Sequence, residues 1–118
     1  MAIEQSGFSQ SLEAGAELSA KQFYACKLDS NGKAVLCGAA ESLTAGVCLG
    51  TPAAGEAASF GVVGLFPVVL GGSVNAGAKL EVNASGQFIT LASGKAAGVA
   101  QEGGVSGNII TALILPQM

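Results

Sequence analysis

The sequence predicts an all-β protein, a small single-domain β-barrel or sandwich of about 8–10 short strands. Its 118 residues leave room for one sizeable core and no second. Half of the residues are apolar (50%) and only 11% are charged, a balance that argues against intrinsic disorder. Short runs rich in Val, Ile, Leu, Phe and Thr are separated by Gly, Asn, Ser or Pro at intervals of roughly 8 to 12 residues, as in barrels and sandwiches.

The first predicted strands form a hairpin. Residues 23–28 alternate in hydropathy, and residues 33–37 return as the second strand. Asn31-Gly32 lies between them and favours a tight turn, because both residue types tolerate a positive φ. The later predicted strands are 46–51, 59–65 continuing after Pro67 through 68–70, 78–82, 87–91, 97–101 and 108–115.

Helical composition is confined to two short segments, 12–20 and 39–45. Gly15 weakens the first of them, since Gly in a helix costs about 1 kcal/mol relative to Ala. We therefore expect one or two short helical turns at most.

The two sets of strands resemble each other. Residues 27–36 align with residues 79–90 as strand, Gly turn and strand, and each copy is followed by a run of Ala, Gly and Val, at 45–47 and at 97–99. We interpret this as a duplicated half-unit. Because a solenoid needs about three or more stacked units, the two halves are expected to close on each other.

The run from Phe60 to Leu70 is almost continuously apolar, as in a strand that is covered on both faces. One interpretation places one face against the barrel core and the other against a neighbouring copy of the chain. The alternative is a bent, fully buried central strand, with Gly61 and Gly64 providing the bend.

Residues 1–20 are predicted to form an N-terminal arm, and residues 21–118 the barrel domain. The arm is polar, with isolated apolar side chains at Ile3, Phe8, Leu12 and Leu18. Such a segment could extend over a neighbouring molecule and add a strand to its sheet. The alternatives are a disordered tail or a first strand of the chain's own barrel.

No catalytic, cofactor-binding or metal site is predicted. The chain contains no Arg, His or Trp, and its carboxylates are scattered, mostly in predicted loops, so no pair reads as a general acid and base. The three cysteines, Cys26, Cys37 and Cys48, are too far apart for a C-x-x-C motif. We expect them to be small buried apolar side chains.

Nucleic acid and membrane are not expected partners. Five Lys residues are spread along a chain of net charge −3, so they form no basic patch. The longest apolar stretch, Phe60 to Leu70, is much shorter than the roughly 18–20 residues of a membrane span. The acidic N-terminal residues Glu4, Glu13 and Glu17 differ from a secretory signal, so we expect cytoplasmic synthesis without export.

Residues 76–115 resemble the carboxy-terminal half of small capsid decoration (cement) proteins of tailed bacteriophages. The shared pattern is Ala-Gly, a short strand with a Gly turn, a second strand, a spacer, Gly-Val-Ala and a last apolar strand. It is matched by Ala76-Gly77, Lys79 to Val82, Gly86, Phe88 to Leu91, Gly98-Val99-Ala100 and Ile109 to Leu115. The three cysteines are a departure from that family.

The resemblance implies a β-barrel, commonly trimeric, on the outer capsid surface of the virion, where it clamps adjacent subunits of the major capsid protein. In that role Ile3, Phe8 and Leu12 are the candidate capsid contacts. The candidates for self-association are Phe60, Phe66, Val68 and Leu70.

Two other classes of protein remain as alternatives. A tail or fibre component with a ligand-binding barrel would expose a cluster of aromatic and amide side chains, whereas this chain has one Tyr and five Phe. An enzyme or swinging-arm carrier would need a reactive centre or a modified Lys at a hairpin tip. Lys33 is the only candidate for such a Lys.

Overall fold

A computed structural model of the chain describes residues 8–39, 41, 43–92 and 96–115. The regular elements in these ranges are all strands, so the predicted all-β class is confirmed. No helix in the described ranges is long and apolar enough to cross a membrane. The strands are β1 (Phe8–Glu13), β2 (Ala25–Leu28), β3 (Ala34–Leu36), β4 (Gly46–Cys48), β5 (Ala57–Val69), β6 (Lys79–Val82), β7 (Phe88–Thr90), β8 (Gly98–Ala100) and β9 (Ile109–Ile114).

The strands form one curled antiparallel sheet in the order β3-β2-β4-β5-β9-β8-β6-β7, and β1 also pairs with β5. The 13-residue strand β5 is the centre of the sheet. Its first part pairs with β1 and β4, and its second part, Gly64–Val69, pairs with β9. The two parts of β5 therefore belong to different halves of the molecule.

Both halves have the same strand pairing, which confirms the duplicated half-unit. In the first half β2 pairs with β3 and β4, and β4 pairs with β5. In the second half β6 pairs with β7 and β8, and β8 pairs with β9. A parallel bridge, Ala14 to Ala34 or Leu70 to Phe88, joins the two ends of each curled half.

Each half has a buried core built at corresponding positions. The first-half cluster is Ala14, Leu18, Cys26, Ala34, Ala45, Cys48 and Phe60. The residues at the same places in the second half are Leu70, Val74, Leu80, Phe88, Ala97, Ala100 and Ala112, all within the larger cluster. Each core contains one Phe, but at different places: Phe60 of the first half corresponds to Ala112, and Phe88 of the second half corresponds to Ala34. Each core is filled by one large ring opposite a small side chain.

The repeated Ala-Gly-Val run has a steric cause. A Cβ added to Gly46 would lie 2.5 Å from the carbonyl oxygen of Gly61, and a Cβ on Gly98 would collide with the carbonyl oxygen of Leu113. At both places the strand approaches its neighbour so closely that only glycine fits.

The two hairpin turns are built alike. Asp29 Oδ1 accepts hydrogen bonds from the backbone N–H groups of Asn31 (2.8 Å) and Lys33 (2.9 Å). Asn83 Oδ1 accepts from Ser85 and Gln87 at 2.9 Å each. Side-chain oxygens that bond the following backbone are typical of Asx turns. The hairpin predicted at Asn31-Gly32 is confirmed.

Part of the segment expected to be an N-terminal arm lies in the chain's own sheet. Strand β1 runs antiparallel to β5, with Ser9 opposite Gly61 and Glu13 opposite Ala57. Ala14 and Leu18 follow and are each 1% exposed in the first-half core. For residues 8–20 the alternative of a first strand of the same barrel therefore describes the structure.

Strand β5 is bent between the halves. Gly64 has a φ of 129°, and the ring of Phe66 folds back over Gly61, where an added Cβ would lie 2.8 Å from three ring atoms. Phe60, Val68 and Leu70 are fully buried within the same chain. The bent central strand is thus the alternative that the structure favours.

Candidate functional site

Chemistry-bearing side chains do not converge in the described part of the chain. No group of three or more His, Cys, Asp or Glu that could hold a metal ion occurs there. All three cysteines are buried, as predicted. A hydrogen bond with Cys48, together with burial, raises the pKa of the Cys26 thiol, and burial raises the pKa of Cys37 to about 12. Both groups are therefore thiols at neutral pH.

Two lysines in the described part of the chain form ion pairs at the surface. Lys27 Nζ lies 2.9 Å from Glu41 Oε2. Lys33, the candidate for modification, places its Nζ 3.3 Å from Glu13 Oε2. Most carboxylates were expected in solvated loops, but Glu81 lies in the predicted strand 78–82, now β6. It is 6% exposed, and its Oε2 accepts a hydrogen bond from the Ala92 N–H. Its burial was not predicted.

The residues predicted to contact a capsid have different surroundings. Ile3 lies outside the described residues. Phe8 begins β1 and is 76% exposed, so its ring is free to contact another molecule. Leu12 is partly buried against the first-half core. Of the two candidates that the structure describes, Phe8 has the more accessible side chain.

The side chains predicted for self-association are mostly enclosed. Phe60, Val68 and Leu70 are each 0% exposed in the chain's own core. Phe66 is partly buried against the same core. Phe60, Val68 and Leu70 are therefore not accessible at the surface of the described fold, because the two halves of one molecule bury them.

The two halves pack through different surfaces. The first half contributes what we call its sheet face, the outward side of β2, β4, β5 and the residue after β3: Ala25, Val47, Gly61 and Cys37, all buried. The second half contributes its turn end, the end of the barrel that carries the 83–86 turn: Phe66, Val82, Gly86 and Ile114. Counterparts in the other half are residues that hold the same place in the pairing pattern, as Val47 opposite Gly61 matches Val99 opposite Leu113.

Close contacts define this internal interface. The N–H of Ala25 donates to the carbonyl oxygen of Gly86 (2.8 Å), and the side chain of Leu36 fills the space where a Cβ on Gly86 would stand. Gln87 Nε2 donates to the Tyr24 hydroxyl at 3.3 Å. The halves are thus joined by backbone, amide and apolar contacts.

The sheet face of the second half has no such cover. Its residues are Lys79, Leu91, Val99 and Leu113, which are exposed or half-buried. Leu65, opposite Leu113, is 39% exposed, and Leu115 is 44% exposed. A shallow pocket of about 210 Å³ is lined there by Lys79, Ala96, Gly98, Val99 and Leu115.

The turn end of the first half is uncovered as well. Its residues are Gln10, Leu28, Gly32 and Val62. Leu28 is 39% exposed, whereas its counterpart Val82 is 2% exposed. A Cβ on Gly32 would meet nothing within 4 Å, whereas one on Gly86 would strike Leu36. Phe8 lies at this end, because β1 begins where β5 leaves the first half.

These two surfaces are the candidate site, and sequence reasoning did not single out their residues. The duplication offered one signal: corresponding residues of the two halves that differ in size or charge indicate places where the halves have different neighbours. To use this signal, one must know which surface of each half is covered by the other half.

The fold is shared with a known viral protein. The chain is similar to the head fiber gp8.5 N base in bacteriophage phi29, known from a crystal structure, with a TM-score of 0.70. The similarity covers 92% of this chain and 93% of that chain at 15% sequence identity. Likeness at this identity establishes the fold. No protein-family profile and no curated protein matches the chain.

Proposed function

We propose that the chain is a non-enzymatic structural protein of a tailed-phage virion, which binds the outer capsid surface and clamps adjacent subunits of the major capsid protein. The observation that carries this proposal is the common fold with a phage head fiber base over nearly the whole of both chains. The resemblance of residues 76–115 to the decoration-protein pattern also supports it.

The surfaces suit such a role. A decoration protein needs a compact body and apolar contacts, and many identical copies let weak contacts add up. Phe8, at 76% exposure, is the accessible aromatic side chain for a shell contact. Burying its ring would contribute at about 25 cal/mol per Å² before the costs of association are subtracted.

A second candidate is a fibre component, and one observation favours it. The structural neighbour is itself described as a head fiber base. In that case the chain would anchor a projecting fibre and would not bridge capsid subunits.

Co-sedimentation with heads tests both candidates. Purified protein would be mixed with heads of the encoding virus that lack it, and the pelleted protein would be quantified against the capsid protein. A clamp predicts saturation at a fixed ratio close to one copy per lattice site, and a fibre base predicts few copies per head. No pelleting at any concentration would contradict both.

Two variants sharpen this experiment. Phe8→Ser should weaken pelleting about tenfold or more, because it removes an exposed ring, and Ser9→Ala on the same strand should not. A chain that begins at residue 8 tests Ile3 and leaves β1 intact. Equal pelleting of all these variants would remove the N-terminal segment from the contact.

A further inference from the structure

The duplicated halves bury opposite surfaces, and the difference is systematic. On the sheet face Ala25 and Val47 are 0% exposed, whereas their counterparts Lys79 and Val99 are exposed and half-buried. At the turn end the direction is reversed, since Gly86 is buried and its counterpart Gly32 is exposed. Each half therefore has one covered and one open surface, and the open ones are of complementary kinds.

The open surfaces have apolar side chains at matching places. The open sheet face offers Leu65, Leu115 and the partly buried Val99. The open turn end offers Leu28 and the half-buried Val62. Repeated units commonly bury such faces against the next unit.

Side-chain size is complementary across the open surfaces. Inside the chain the large Phe66 of the turn end lies on Gly61 of the sheet face. Their counterparts are Gln10, smaller and polar, and Leu113, which is larger than glycine. Inside the chain the larger side chain belongs to the turn end, and on the open surfaces it belongs to the sheet face. A turn end of one copy placed on the sheet face of another would therefore fill the space between them, as the two halves do within one chain.

Charged residues also differ between the covered and the open surfaces, one on the sheet face and one at the turn end. Ala25 faces the turn that begins at the neutral Asn83, because its N–H bonds to Gly86 of that turn. Lys79 replaces Ala25 on the open sheet face, and Asp29 replaces Asn83 in the open turn. A neutral pair within the chain corresponds to a pair of opposite charges on the open surfaces. Opposite charges favour the encounter of two surfaces and fix their register.

We propose that copies of this chain associate head to tail, with the open turn end of one copy (Gln10, Leu28, Gly32 and Val62) covering the open sheet face of the next (Leu65, Lys79, Val99, Leu113 and Leu115). The interface repeats in outline the packing of the two halves within one chain. Such a contact joins two different surfaces, so it generates a closed ring or a filament according to the rotation between copies. This goes beyond the proposed function, because it applies equally to a clamp and to a fibre base.

Mixing of two variants in sedimentation-velocity runs tests the proposal. Leu28→Glu blocks the turn end, and Leu115→Glu blocks the sheet face, while Val105→Glu changes a side chain that is 57% exposed and lies on neither surface. The wild type and Val105→Glu should sediment as the same oligomer. Leu28→Glu and Leu115→Glu should each be monomeric. Their equimolar mixture should form a 1:1 dimer and nothing larger, since one competent pair of surfaces remains.

Each other outcome overturns the proposal. A monomeric wild type at about 100 μM, an oligomer unaffected by both variants, or a mixture that stays monomeric would contradict the head-to-tail contact. If circular dichroism shows either glutamate variant to be unfolded, the milder Leu28→Ser and Leu65→Ser take their places. These results do not depend on capsid binding, so failure here and failure of the proposed function are separable.

Discussion

At the level of single residues, the two Asx turns show how one structural task is performed by two side chains. Asp29 and Asn83 hold equivalent backbone N–H groups, but only Asp29 is ionisable. The N–H groups of Lys33 and Asn31 hold the pKa of Asp29 below its ordinary value. The folded state therefore binds the proton of this carboxyl more weakly than the unfolded chain does.

This shift gives a pH prediction with a definite sign. Because the folded pKa of Asp29 is lowered, its contribution to stability is present above the ordinary carboxyl pKa and is lost as the pH falls through the folded value. Asp29→Asn keeps the hydrogen-bond acceptor, as Asn83 does. The variant should lose less unfolding free energy than wild type between about pH 5 and pH 2 in urea titrations.

Ser30→Ala is the matched control for the pH experiment, because it alters the same turn and leaves the carboxylate. It should retain the wild-type pH dependence. If Asp29→Asn followed the wild-type profile as well, Asp29 would not be the group responsible.

Sequence reasoning succeeded for residues whose role is local. The Asn31-Gly32 turn and the burial of the cysteines follow from backbone preference and side-chain type. It did not predict the burial of Glu81, whose Oε2 accepts a hydrogen bond from the Ala92 N–H. It also did not show that Phe60, Val68 and Leu70 are buried within one molecule, because an apolar run shows that a strand is covered and does not show by which molecule.

At the level of strands, β5 connects the two halves, and its burial decides what its aromatic side chains do. Phe60 packs in the first-half core with Cys26, Ala34 and Cys48 of β2, β3 and β4, whereas Phe8 of β1 extends into solvent. Phe60 therefore stabilises the core, whereas Phe8 is available for a contact at the surface.

Truncation of these two rings should have very different costs. Phe60→Ala should lower the unfolding free energy by about 3–5 kcal/mol, as for other buried Phe residues. Phe8→Ala should change it by less than about 0.5 kcal/mol, since exposed side chains contribute little. Urea unfolding followed by far-UV circular dichroism measures both. Equal, small effects would show that Phe60 is not enclosed as described.

Eight of the nine described strands were predicted within a few residues of their observed limits, because each combines apolar or β-branched residues with turn residues at its ends. Strand β1 was left among alternatives. Its sequence is largely polar, and four of its first five residues are exposed. It is held mainly by backbone pairing with β5, which leaves little hydropathy signal.

At the level of the whole molecule, duplication explains both the fold and the open surfaces. One pattern of pairing is used twice, and the second half covers the first half on one side only. The sequence predicted the duplication from its turns and Ala-Gly-Val runs. It could not predict the open surfaces, because exposure depends on how the halves pack together.

The proposed role, that of a structural component of a virion, can be checked by electron cryomicroscopy of particles of the encoding virus. We expect copies of the barrel on the outside of the head at junctions between capsid subunits, with Phe8 directed toward the shell. Mature particles that contain no copy of the protein would contradict it.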